Sequence, residues 1–103
     1  MSGDQSHPML PGEELVQEGL ADLAHDRITD LSLLVLIAAP RLKRLGIEIP
    51  DRPHSKPYEH ELYDRLEERL GAGAHSYYNS LIRRIVSYAR GLERELSRQS
   101  RPD

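Results

Sequence analysis

The stretch from Thr29 to Pro40, TDLSLLVLIAAP, decides how the rest of the chain has to be arranged. Leu31, Leu33, Leu34, Val35, Leu36 and Ile37 make it apolar nearly all round. A helix without a polar face has to be enclosed by other elements. Thr29 or Asp30 supplies a cap at its start. At the other end Pro40 has no amide proton and clashes with a continuing turn, so it kinks the helix or opens a new short one at its own first position. A strand over LLVLI fits the apolar run, but the helix-period segments on both sides favour a helix.

Those neighbouring segments are the walls that enclose it. From Pro11, with Glu13 and Glu14 in the first turn where acids complement the helix dipole, Val16, Leu20 and Leu23 follow helical spacing. After the Pro40 segment, Gly46 provides a stop, and IEIPDRPHSK carries two prolines among alternating polar and apolar residues. It reads as an extended connector laid over the core by Ile47 and Ile49. Tyr58, Leu62, Leu66 and Leu70 then repeat every four residues behind the start signal of Ser55 and Pro57, until Gly71 to Gly73 break the pattern. The last helix, from about His75 to Gln99, holds Tyr78, Ile82, Ile85, Ala89, Leu92 and Leu96 at alternating spacings of four and three. Leu81 and Tyr88 widen that heptad seam at one side, and three heptads serve equally to close a domain or to pair two subunits.

The expected fold class is therefore all-α: a small bundle of four to five helices with a long C-terminal amphipathic helix, around a central helix from Leu31 to Ala39. Residues 1–10 read as a flexible N-terminal tail and 11–103 as a single helical domain, with 47–56 the connector and 100–103 a frayed end.

Only 38% of the 103 residues are hydrophobic and 30% are charged, so the core is modest and a partner to complete it is expected. The chain has no cysteine, which removes disulfides, thiolate metal sites and cysteine nucleophiles and fits a reducing compartment. Its first residues lack the basic and apolar regions of a signal peptide, and Leu33 to Ala39 is too short to span a bilayer; the expected location is the cytoplasm, away from membranes. The net charge of −3 argues against general nucleic-acid binding. That charge is segregated: residues 1–73 carry 8 basic and 14 acidic side chains, residues 74–103 carry 6 and 3.

The basic excess lies on one face. At about 100° per residue, Arg83, Arg90, Arg94, Arg98 and Arg101 fall on the side of the last helix opposite the seam. A row of guanidinium groups suits an anionic partner, either an acidic protein surface or a phosphate backbone with Tyr77 stacking on a base, and equally suits a solvated helix face. His60, Glu61 and Asp64 reproduce only part of a zinc-protease helix, with Asp64 in place of the second histidine, and Asp22 with His25 lacks the companion carboxylates of a di-iron bundle. No metal or other cofactor is expected. Gly71 to Gly73 lacks the lysine and the strand of a phosphate loop.

One pair suggests catalysis. Arg69, five intervening residues and His75, with Tyr77 two further on, resemble the arginine and histidine motif of HEPN domains, small all-α proteins many of which are ribonucleases or toxins. The resemblance covers the chain from Arg69 onward. It implies a metal-independent RNA cleavage site assembled from two subunits, with Arg69 and His75 catalytic and Tyr77 touching substrate. In such a site histidine moves the 2′-hydroxyl proton while guanidinium steadies the phosphorane. Taken by themselves, Arg69 complements the end of one helix, and His75 or Ser76 caps the next. The reading favoured by the residues is non-enzymatic: an interaction or regulatory module that self-associates or binds a protein through the 75–99 helix. Tyr78, Ile82, Ile85, Leu92 and Leu96 form its contact seam.

Overall fold

The computed structural model describes residues 10–50 and 56–100, and among these there is no strand. Five α-helices follow in order: α1 Glu13–Ala24, α2 Asp30–Ile37, α3 Ala39–Arg44, α4 Tyr58–Leu70 and α5 Ala74–Ser100, with a 3-10 turn at Gly71–Gly73 before α5. The chain is an all-α small bundle. Residues 1–9 of the expected tail, 51–55 of the connector and 101–103 lie outside the described residues.

The central helix is α2. Ser32, Leu33, Leu34, Val35 and Leu36 are all buried, Leu33, Leu34 and Val35 completely. Burying a side chain of this size stabilises by about 1.5–3 kcal/mol. Thr29 starts the helix with a reciprocal cap: its Oγ1 accepts from the Ser32 amide at 3.1 Å while Ser32 Oγ accepts from the Thr29 amide at 2.8 Å. The same Thr29 hydroxyl donates at 2.6 Å to Asp22 Oδ2, in the last turn of α1. Arg27 also bonds Asp22, and the Asp22 carboxyl, though burial works against it, is held below the ordinary aspartate range by the Thr29 and Arg27 bonds. The corner between α1 and α2 is thus fixed by polar groups. Of the two outcomes open at Pro40, the chain takes the second: α2 ends at Ile37, and α3 begins at Ala39 with the proline in its first turn.

α2 packs chiefly on α1 and α4, and α4 in turn on α5. Gly19 makes the first contact close: a Cβ there would sit 2.4 Å from the Leu31 carbonyl oxygen and 2.6 Å from Val35 Cγ2. Ile49 is buried and Ile47 packs against the core, so the described part of the connector does lie over the bundle. After Leu70 the 3-10 turn, with Gly71 at φ +57°, folds α5 back on α4, and Tyr63 meets Tyr78 edge-on at 5.4 Å.

The end of the expected tail is itself packed. Leu10 lies against the core and over Gly91 of α5, where a Cβ would come within 3.3 Å of Leu10 Cδ2. Gly12 caps α1 in the left-handed region at φ +77°, and a Cβ there would meet the Arg84 carbonyl oxygen at 2.5 Å. Two glycines, one on each side, let the start of α1 approach α5 this closely.

Candidate functional site: the outer face of α5 and the elbow before it

The face of α5 turned inward closes the bundle. Leu81, Ile85, Tyr88 and Ala89 are in the core, with Ile85 only 2% exposed, while Tyr78, Ile82 and Leu92 are half-buried against it. Leu96 is 36% exposed. The seam read as one stripe therefore divides: Ile85 and Ala89 are spent within the chain, and Leu96, with part of Leu92, remains outside. At about 1.5 Å per residue the 27-residue helix is about 40 Å long. Beyond Ala89 its residues have only partial cover, and Glu93 is tied back by Arg41 of α3 at 3.0 Å.

On the opposite side Arg83, Arg90 and Arg94 are exposed and make no ion pair among the described residues. Arg98 pairs with Glu95, and Arg84 reaches Glu14 of α1 at 3.5 Å. Arg101 lies outside the described residues. These arginines line a shallow groove whose other wall is the start of α1. One part, about 380 Å³, runs between Leu10, Pro11 and Arg90, Arg94 and Arg98. The other, about 360 Å³, runs between Pro11, Gly12 and Arg83 and Arg84. Pro11 and Ser87 belong to both, so the two are continuous.

Sequence reading placed four of these arginines on one face but missed Arg84 and the second wall. The only signals for that wall were the glycines at 12 and 91, which do not announce their partner. A larger groove of about 660 Å³ lies on α4, lined by four carboxylates, Glu61, Asp64, Glu67 and Glu68, and two cations, Lys56 and Arg65, with Lys56 bonded to Asp64 at 2.6 Å. It too was not legible as a site, because outward carboxylates on a helix read as a solvated face.

At the elbow Arg69 and His75 are not brought together within one chain. The Arg69 guanidinium grips Asp30 at the start of α2, Nη2 to Oδ2 at 2.7 Å and Nη1 to Oδ1 at 3.3 Å. Arg65 Nε adds a bond to the same carboxylate at 3.3 Å. Burial raises the Asp30 carboxyl, and the bonds from Arg69 and Arg65 more than reverse this, leaving it below the ordinary value. Asp30 in turn pushes the Arg69 guanidinium upward. His75 is exposed, its Nε2 3.2 Å from Asn79 Nδ2 and its ring edge-on to Tyr63 at 6.4 Å. Tyr77 is 43% exposed. Arg69 thus clamps the last turn of α4 to the first turn of α2, where its charge also complements the C-terminal end of its own helix.

Among the described residues no group of three or more histidine, aspartate or glutamate side chains is placed to hold a metal ion. No described helix is long and apolar enough to cross a membrane. No protein-family model, curated protein or solved structure matches the chain.

Proposed function

We propose that this chain is a non-enzymatic interaction module that binds another protein, or a second copy of itself, through the outward surface of α5. The observation that carries the reading is the division of the α5 seam: its first half completes the core, whereas the second half presents Leu96 beside Arg94 and Arg98 with no element of the described chain over it. A helix end of this length is marginal in water by itself, so a partner surface is what gives it a reason to persist. The placement of Arg69 on Asp30 supports a structural role for that residue, and among the described residues His75 has no charged partner. The ribonuclease reading therefore ranks behind the interaction reading, as does binding to a nucleic-acid backbone by the arginine face.

The test is Leu96→Asp, which alters an exposed position and leaves the core intact. Light scattering on the native chain is expected to give a mass above 11.8 kDa, from self-association or a defined protein complex, and the variant is expected to weaken that complex with an unchanged helical circular dichroism spectrum. A native chain that stays monomeric and binds no protein sinks the reading. RNA cleavage in the presence of a chelator, abolished by His75→Ala, would replace it with the ribonuclease.

A further inference from the structure

We infer that the arginine groove between α5 and the start of α1 receives a short, extended protein segment in which carboxylate and apolar side chains alternate. This rests on the interaction reading and names the chemistry of the partner.

The groove has two unlike walls. On α5 stand Arg83, Arg90 and Arg94, all exposed. Steps of seven and four residues bring the three within about 40° of one another around the helix, at levels about 10.5 and 6 Å apart. Facing them are the apolar side chains of Leu10 and Pro11. This second wall is held in place before any partner arrives: the Leu10 amide donates to Glu13 Oε1 at 2.8 Å, and Leu10 lies over Gly91, where no side chain separates the two elements. Ser87 belongs to both parts of the groove and presents a hydroxyl with no hydrogen-bond partner among the described residues.

An extended segment turns successive side chains to opposite sides, at about 3.3 Å per residue. Its carboxylates then meet the guanidinium groups while its apolar side chains meet Leu10 and Pro11. About six residues span the roughly 16.5 Å from Arg83 to Arg94.

The balance of charge sets the size of the partner. Of the arginines lining the groove, Arg84 is answered by Glu14 at 3.5 Å and Arg98 by Glu95. Arg83, Arg90 and Arg94 remain without an ion pair among the described residues. A few carboxylates on a short segment match that excess, each able to accept from the paired N–H groups of a guanidinium fork. A nucleic-acid strand carries a charge on every nucleotide and sets phosphates against Glu14 and Glu95 as well, on a chain whose net charge is already −3. None of the described residues lining the groove is aromatic, so a base finds no ring there on which to stack.

The experiment is fluorescence anisotropy of a labelled heptapeptide of alternating glutamate and valine, titrated with the full chain. Saturable binding with a Kd below about 1 mM is expected at low salt, weakening as salt rises. Glutamine in place of every glutamate is expected to abolish it, and serine in place of every valine to weaken it about tenfold. On the protein, Arg90→Glu with Arg94→Glu changes two exposed positions, and circular dichroism checks that the variant remains helical; binding is expected to fall about tenfold or more. Arg44→Glu, at an exposed arginine of α3 outside the groove, is expected to leave binding within about twofold.

Binding that the glutamine peptide shares, or that Arg44→Glu weakens as much as the groove reversal does, overturns the inference. So does a chain that binds poly(U) with steep salt dependence and leaves the peptide free. A peptide that fails to bind, beside a native protein complex that Leu96→Asp disrupts, overturns this inference and leaves the proposed function standing.

Discussion

α2 and the last turns of α5 are opposite solutions to the placement of leucine. In α2, eight residues long, the apolar side chains point in every direction; Leu33 to Leu36 are buried and Leu31 and Ile37 half-buried against the core, because α1 lies on one side and α4 on another. In α5, 27 residues long, they point in one direction only, and the bundle is not long enough to cover them all: Ile85 is 2% exposed and Leu96 36%. Apolarity on all sides settles a helix's position. A stripe settles only which face is inward, and leaves open whether the inward neighbour belongs to the same chain.

That contrast is broken most sharply by truncating one leucine in each region. Leu34→Ala removes a fully buried side chain and is expected to cost about 2–5 kcal/mol, read as a lowered urea midpoint. Leu96→Ala is expected to cost less than about 0.5 kcal/mol in the same measurement. Equal losses at the two positions would mean that α5 is enclosed along its whole length. Ile85→Asp belongs with the first group: it places a charge inside the bundle and is expected to unfold the chain, so it reports on folding and not on association.

Next in size is Gly19→Ala, which drives a methyl group into the Leu31 carbonyl and Val35 and forces α1 off α2. A loss of about 1–3 kcal/mol is expected, although alanine is the better helix former. A gain in thermal stability would show that the two helices are not in contact there.

The acid limb of stability sharpens the comparison from the polar side, since α2 is anchored by Asp22 and Asp30 whereas α5 beyond Glu93 has no tie of this kind to another helix among the described residues. Both carboxyls sit below the ordinary aspartate value of 3.8. The unfolded chain therefore binds protons before the folded one does, and stability conferred by the two groups is present above that value and lost as pH falls through it. Asp30→Asn is expected to flatten the fall between about pH 5 and pH 3. An unaltered acid profile in that variant would show that Arg65 and Arg69 gain nothing from Asp30.

Much of the fold was legible because its signals are local. The Thr29 cap, the Pro40 break, the glycine stop before Ile47 and the leucines of α4 each depend on residues within a turn or two, and the helices are found within about two residues of their expected bounds. The candidate site was legible only in part, because its parts are distant. Nothing near Arg69 in sequence points to Asp30, 39 residues away, and nothing near Gly91 points to Leu10. A short motif with a catalytic resemblance at Arg69 and His75 takes no account of where the guanidinium finds its nearest carboxylate.

The sequence by itself determined the helices, their apolar faces and the separation of acidic from basic halves, since periodicity and composition are properties of neighbouring residues. Only the tertiary structure decided which half of the α5 seam is spent inside the chain, which arginines pair with carboxylates among the described residues, and that the start of α1 forms the second wall of their groove. Those outcomes depend on which surfaces meet, and that is settled by the lengths of the helices, the close approach at Gly12, Gly19 and Gly91, and the cost of leaving a buried carboxylate unpaired.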